Sequence, residues 1–136
     1  MNATTDDIKM PLVKLLDSQR AAFKKEGQVT YQTRIDRLDR CIGLIVDHQN
    51  EICEAVNKDF GCRSKHVTLM TDLFTSVSTL KFAKKNLKKW MKGEKRSSPI
   101  PMNLFGGKSI IHYQPKGIIG IMTPWNVPVN MIFSPL

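Results

Sequence analysis

The sequence predicts an α/β fold, to which this chain contributes a mostly α-helical stretch, a short β-ribbon and one βα unit. Three observations lead there. Apolar residues recur at helical spacing through three stretches between residues 11 and 92. The run Ile118-Ile119-Gly120-Ile121-Met122 is apolar or Gly throughout, as a strand covered on both faces by helices would be. It leads directly into Thr123-Pro124-Trp125-Asn126-Val127-Pro128, a strand-to-turn-to-helix signature with an amide at its tip. Such a strand needs parallel neighbours, each joined by a crossover of about a dozen residues or more. Only fourteen residues follow Met122 and none reads as a second strand, so the chain is expected to be the front part of a larger α/β protein.

Each element has its own signal. Leu12, Leu15, Leu16, Gln19, Ala22 and Phe23 follow Pro11 at helical spacing, which predicts a helix from about Pro11 to Lys25 closed by Gly27. Ile35, Leu38, Ile42, Ile45, Gln49, Ile52 and Val56 step by threes and fours, placing one stripe on a helix or two abutting helices from about Gln32 to Asp59, with Gly61 at the end. A coiled coil would need more heptads and no Gln49 in the seam, so packing within a domain is expected. Met70, Leu73, Phe74, Val77, Leu80, Leu87 and Met91 give a third helical stretch, roughly Lys65 to Lys92. Gly93 to Gly107 collects Pro99, Pro101, Gly106 and Gly107 with Ser97, Ser98 and Asn103, and reads as a connector. Ser109 to Gln114 alternates like a strand with one wetter face, and Gln114 to Gly117 fits a type I turn. Thr123 is held extended by Pro124, which ends any ladder for want of an N–H. Asn126 is then expected to cap a helix with Pro128 in its first turn.

Composition narrows the function. The chain has 136 residues, 41% hydrophobic, with net charge +9. Lys81, Lys84, Lys85, Lys88, Lys89, Lys92, Lys95 and Arg96 crowd into sixteen residues with only Glu94 opposing them. A solvated helix face explains this cluster, and only Phe82 and Trp90 intervene, at a spacing suited to core packing. Nucleic-acid modules add aromatic stacking residues or a reading helix, so no nucleic-acid partner is expected. The rival reading is a non-catalytic basic helical module that binds an anionic partner through Lys81 to Arg96. Cys41, Cys53 and Cys62 lack metal-ligand spacing and form no disulfide framework, so no metal is expected. His48, His66 and His112 are expected in surface or capping roles. The polar, acidic start and the lack of a long apolar run predict no membrane association and a reducing, cytoplasmic setting.

Ligands of open α/β sheets bind outside the carboxyl ends of the strands, which points to the turn at 123–128 as a cofactor-type crevice. The Gly-x-Gly-x-x-Gly fingerprint of ordinary dinucleotide sites is missing. The stretch Pro115-Lys116-Gly117-Ile118-Ile119-Gly120-Ile121-Met122-Thr123-Pro124-Trp125-Asn126-Val127-Pro128 resembles the P-x-G-V-x-G-x-I-x-P-W-N-x-P segment of the aldehyde dehydrogenase superfamily. Asp59-Phe60-Gly61-Cys62-Arg63-Ser64-Lys65-His66 and Asn86-Leu87-Lys88-Lys89-Trp90-Met91 resemble the branch that contains coniferyl aldehyde dehydrogenases. The similarity runs from about Lys14 to Leu136 and corresponds to the first quarter or so of a family member.

The resemblance implies a Rossmann-type cofactor domain and a definite organisation. Residues 1–107 would be the helical front of the cofactor-binding domain with its connector, 108–116 a β-ribbon used in oligomerisation, and 117–136 the first strand, Pro-Trp-Asn turn and helix start of the NAD(P)-binding domain. It further implies oxidation of a small-molecule aldehyde, aromatic and similar to coniferyl aldehyde, to the acid with NAD or NADP, by an intact homodimer. In the family a Cys thiolate attacks the aldehyde, hydride passes to NAD(P), and a Glu-activated water hydrolyses the thioester. Asn126 takes the role of the oxyanion-binding Asn, and Met122, Thr123, Pro124, Trp125 and Asn126 are the cofactor-side residues. The family's nucleophile, Glu base, cofactor-binding Lys and Gly-rich segment lie beyond the equivalent of Leu136, and none of the three Cys matches the nucleophile's motif. The polypeptide by itself is therefore expected to be inactive.

Overall fold

A computed structural model describes residues 5–136, with side chains from Pro11 onward; residues 1–4 of the polar start lie outside the described residues. Two compact units result, one of the described residues up to Val29 with Gln114–Gly120, the other of Thr30–Tyr113 with Ile121–Leu136.

The first unit is built on α1, Thr5–Glu26. Gly27, at φ 66°, closes it by donating its N–H to Phe23 O at 3.2 Å, as the sequence suggests. The helix starts before Pro11, which lies inside it instead of opening it. Pro11 is solvent-exposed, so water can solvate the carbonyl left without an N–H partner. Leu16 and Phe23 are half-buried and line a groove with Lys116, Gly117 and Ile118.

The second unit holds the core. Its α2 spans Tyr31–Asp47, opened by Thr30, whose hydroxyl accepts the Thr33 N–H at 3.2 Å. His48 separates it from α3, Gln49–Phe60, so the long stripe belongs to two abutting helices. Gly61 ends α3 at φ 77°, a left-handed position that suits Gly. Ser64 then caps α4, Lys65–Thr68, by accepting the Val67 N–H at 3.3 Å. A π-helical segment, Leu69–Phe74, continues into α5, Thr75–Trp90. Ile45, Cys53, Leu73 and Leu80 form the centre of the core, with Leu38, Ile42, Ile52, Leu69, Val77 and Phe133 packed around it. Burying each such side chain contributes about 1.5–3 kcal/mol.

Several expectations change here. Met70 and Phe74 are each 62% exposed, while Thr68, Asp72 and Ser76 are fully buried in their place. The inward ridge runs 68-72-76-80, a four-residue step whose first three members are polar, so an apolar pattern misplaces it. Phe82 and Trp90 face solvent and pair with each other, ring centroids 5.9 Å apart, instead of entering the core.

The stretch expected to be a connector contains β1, Glu94–Arg96, paired antiparallel with β2, Ser109–Ile111, in the register Glu94↔Ile111, Lys95↔Ile110 and Arg96↔Ser109. Charged residues are poor strand formers in isolation; this strand is made by its distant partner and by Glu94, which accepts from the Tyr113 hydroxyl at 2.8 Å. The ribbon thus joins 94–96 to 109–111 and does not lie wholly within 108–116. No hydrogen bond closes a turn at 114–117 among the described residues, where Gly117 has φ 127°.

Residues 118–122 adopt no strand, and β1 with β2 form the only sheet among the described residues. An extended run becomes a strand only by pairing with a neighbour, and among the described residues no strand pairs with it. The helix beyond the turn does form, as α6, Pro128–Phe133.

Candidate active site

The turn expected to carry chemistry is fastened to the helical unit through its backbone. Arg63, just past the Gly61 cap, has a side chain only 10% exposed. Its Nη1 donates to the backbone carbonyl of Asn126. Its Nη2 donates to Thr71 Oγ1 and Asp72 Oδ2, both at 2.7 Å, and the guanidinium lies 4.8 Å from the centroid of the Phe60 ring. The planar fork of Arg suits this, since one group must reach several acceptors at fixed angles.

Asp72 answers from the π-helical segment. Fully buried, it accepts from Arg63 through one oxygen and from the backbone N–H groups of Val129 (3.1 Å) and Asn130 (3.3 Å) through the other. Those amides belong to the first turn of α6, which otherwise lacks a side-chain cap. Asn126 is therefore not the helix cap expected of it. Val127 occupies the cap position and a carboxylate from α5's approach supplies the hydrogen bonds. A buried carboxylate is tolerable only when paired and hydrogen-bonded, and both conditions hold. Phe133 at the far end of α6 packs on the core, and Ser134 Oγ donates to Asn130 Oδ1 at 2.8 Å.

This fastening leaves the expected site residues facing outward. Met122 is 98% and Trp125 88% exposed, Pro124 and Asn126 are exposed, and Thr123 is half-buried. No hydrogen bond engages the Asn126 carboxamide among the described residues, although its main-chain carbonyl is held. The result is a fixed backbone presenting an uncommitted amide, with apolar Met122 and Trp125 surfaces beside it.

Sequence reasoning missed Arg63 and Asp72 as parts of this arrangement. Two signals pointed to them: Arg63 stands inside the Asp59-to-His66 motif, and Asp72 sits between Leu69, Leu73 and Val77 on an apolar face. The π-helical segment is a further mark, because such segments often accompany functional positions.

The remaining candidates are quieter. Cys53 is buried, and desolvation pushes its thiol above the ordinary value, the reverse of an activated nucleophile. Cys41 is half-buried and Cys62 exposed; both are free thiols. Among the described residues no cluster of three or more His, Cys, Asp or Glu could hold a metal ion. No helix among them is long and apolar enough to cross a membrane. In the basic stretch, Lys84 pairs with Asp39 of α2.

Residues 3–136 match the model of the aldehyde dehydrogenase family, and the chain belongs to that family. It is 44% identical over 137 residues to a probable coniferyl aldehyde dehydrogenase of Caulobacter vibrioides, covering 100% of this chain and 28% of that protein. It is 35% identical over 121 residues to the coniferyl aldehyde dehydrogenase of a Pseudomonas species, covering 89% and 24%. A 4,4'-diaponeurosporen-aldehyde dehydrogenase of Staphylococcus aureus is 30% identical over 123 residues, with 90% and 26% covered. The chain thus spans about a quarter of the length of these curated relatives.

Proposed function

We propose that this chain is the N-terminal part of an NAD(P)-dependent aldehyde dehydrogenase that oxidises an aldehyde, aromatic and similar to coniferyl aldehyde, to the carboxylic acid. The observation that carries the reading is the Asn126 carboxamide, exposed and without a partner among the described residues, on a turn whose backbone is pinned by buried charges. Kinship with proteins named for coniferyl aldehyde supports the aromatic substrate.

Asn126 supplies a hydrogen-bond donor. Its side-chain N–H points charge at the substrate oxygen as that oxygen becomes negative after attack by a thiolate from the rest of the enzyme. Asp at this position could not serve, because an ionised carboxylate accepts but does not donate. A fixed donor of this kind is worth about 3–4 kcal/mol in the transition state. The residues around it suit a nicotinamide dinucleotide: Met122 and Trp125 offer exposed apolar surface, Pro124 stiffens the turn, and Thr123 adds a hydroxyl. These four with Asn126 would hold the ribose and nicotinamide side, and the cofactor when bound supplies the hydride acceptor.

In the intact protein the ribbon of β1 and β2 serves a homodimer, and the setting is cytoplasmic. The 136-residue polypeptide alone is inactive, since none of its three cysteines stands in the family nucleophile's motif and burial raises the Cys53 thiol away from an attacking thiolate. The test is aldehyde-dependent NADH or NADPH formation by the complete protein and by residues 1–136 alone. Turnover of coniferyl aldehyde by the first and none by the second is expected. Oxidation by residues 1–136 alone, or no aldehyde oxidation by the complete protein, would overturn the reading.

A further inference from the structure

We infer that Arg63 and Asp72 are positioning residues for the oxyanion donor, setting the direction of the Asn126 carboxamide through the backbone from its own carbonyl to Asn130. The inference rests on the reading of Asn126 as that donor. Arg63 Nη1 holds the Asn126 carbonyl, and Asp72 Oδ1 holds the amides of Val129 and Asn130, so three hydrogen bonds fix five consecutive residues. Arg63 and Asp72 are tied to each other at 2.7 Å, which makes the two anchors one rigid clamp.

Energetics favour a geometric role over a stabilising one. Placing two charges at 10% and 0% exposure costs desolvation, and apolar residues of similar volume often hold a fold together as well or better. An apolar pair could fill the space, but it could not grip a carbonyl and two amides at defined angles. Arg63 Nε is buried without a partner among the described residues, where the guanidinium's hydrogen bonds go to Asn126, Thr71 and Asp72. Displacing a catalytic group by about 1 Å can cost 10²-fold in rate. A side chain 63 positions upstream of Asn126 therefore has leverage over turnover without touching substrate.

The experiment is a double-mutant cycle in the complete enzyme, with Arg63→Lys and the paired Arg63→Met/Asp72→Asn change each made alone and together with Asn126→Ala. Lys can reach one acceptor but not bridge several. The paired change removes both charges, leaving no buried carboxylate without a counter-ion, and the new amide oxygen can still accept from Val129 and Asn130. Either change alone should lower kcat by roughly tenfold or more with the cofactor KM nearly unchanged. In the Asn126→Ala background the same changes should cost less than about twofold, because their effect passes through the amide.

An equal loss in both backgrounds, or no loss in kcat at all, overturns the positioning role while leaving Asn126 as donor. Unaltered turnover in Asn126→Ala alone overturns both readings. If Arg63→Lys proves insoluble, the paired variant decides by the same comparison.

Discussion

Asp72 caps a helix from a distance in sequence, its Oδ1 lying 3.1 Å from the nitrogen of Val129, 57 residues downstream. A six-residue helix such as α6 is too short to persist by its own hydrogen bonds. It persists here because a buried carboxylate satisfies its free amides and Phe133 anchors its end to the core. The segment that carries the candidate site is thus an attachment of the helical unit.

Removal of the carboxylate should be costly. Asp72→Ala leaves Arg63 buried without its counter-ion and two amides without acceptors, and should lower the stability of the complete protein by about 3–5 kcal/mol in urea unfolding. Asp72→Asn, which keeps an acceptor, should cost less. Equal losses for the two would show that the acceptor role is unimportant.

Leu80 is 1% exposed at the centre of the α2, α3 and α5 packing. Leu80→Ala should destabilise by about 2–5 kcal/mol, the range for a buried Leu whose cavity cannot close fully. Met70→Ala, at 62% exposure in the same helical stretch, should shift the urea midpoint very little, the reverse of what the apolar pattern alone implies.

That contrast marks what the sequence could and could not reveal. Helix ends were legible where a local residue determines them: Gly27 and Gly61 stand at left-handed positions whose cause lies in one residue. The core face of residues 69–80 was only partly legible. Leu73, Val77 and Leu80 turn inward as read, but Thr68, Asp72 and Ser76 share the inward ridge; Asp72 is there for Arg63 and the α6 amides, and hydrophobicity does not record such needs. The Glu94–Arg96 strand was hidden for the same reason, since its identity comes from Ser109–Ile111. At the candidate site the turn and its helix were found, whereas the clamp of Arg63 and Asp72 was not, because its partners lie dozens of residues apart.

Thiol reactivity should follow burial. At pH 7.5 a thiol reagent should modify Cys62 first, Cys41 more slowly and Cys53 only on unfolding. Burial raises the Cys53 pKa in the folded state, so its contribution to stability is complete below the ordinary thiol pKa of about 8.5 and is lost as pH rises past the folded value. Urea midpoints should consequently fall on the alkaline side more in the native protein than in Cys53→Ala. Parallel pH profiles for the two would contradict the assignment.

The ribbon depends on Gly93. A Cβ there would sit 2.9 Å from Ile110 Cγ2 and 3.1 Å from the Ile111 carbonyl, so Gly93→Ala should disturb the pairing of β1 with β2. If the ribbon serves the dimer, the variant should shift sedimentation toward monomer at low micromolar concentration. A native dimer with unchanged melting temperature would separate the ribbon from assembly.

The most direct test of the account is the rate of the hydride step in the complete enzyme carrying Asn126→Ala or Asn126→Asp, read in a single turnover with deuterated and ordinary aldehyde. Both variants should slow the step by roughly 10²–10³-fold, with a larger isotope effect, because each lacks the donor. A hydride step at the native rate in either variant would contradict the role assigned to the Asn126 carboxamide.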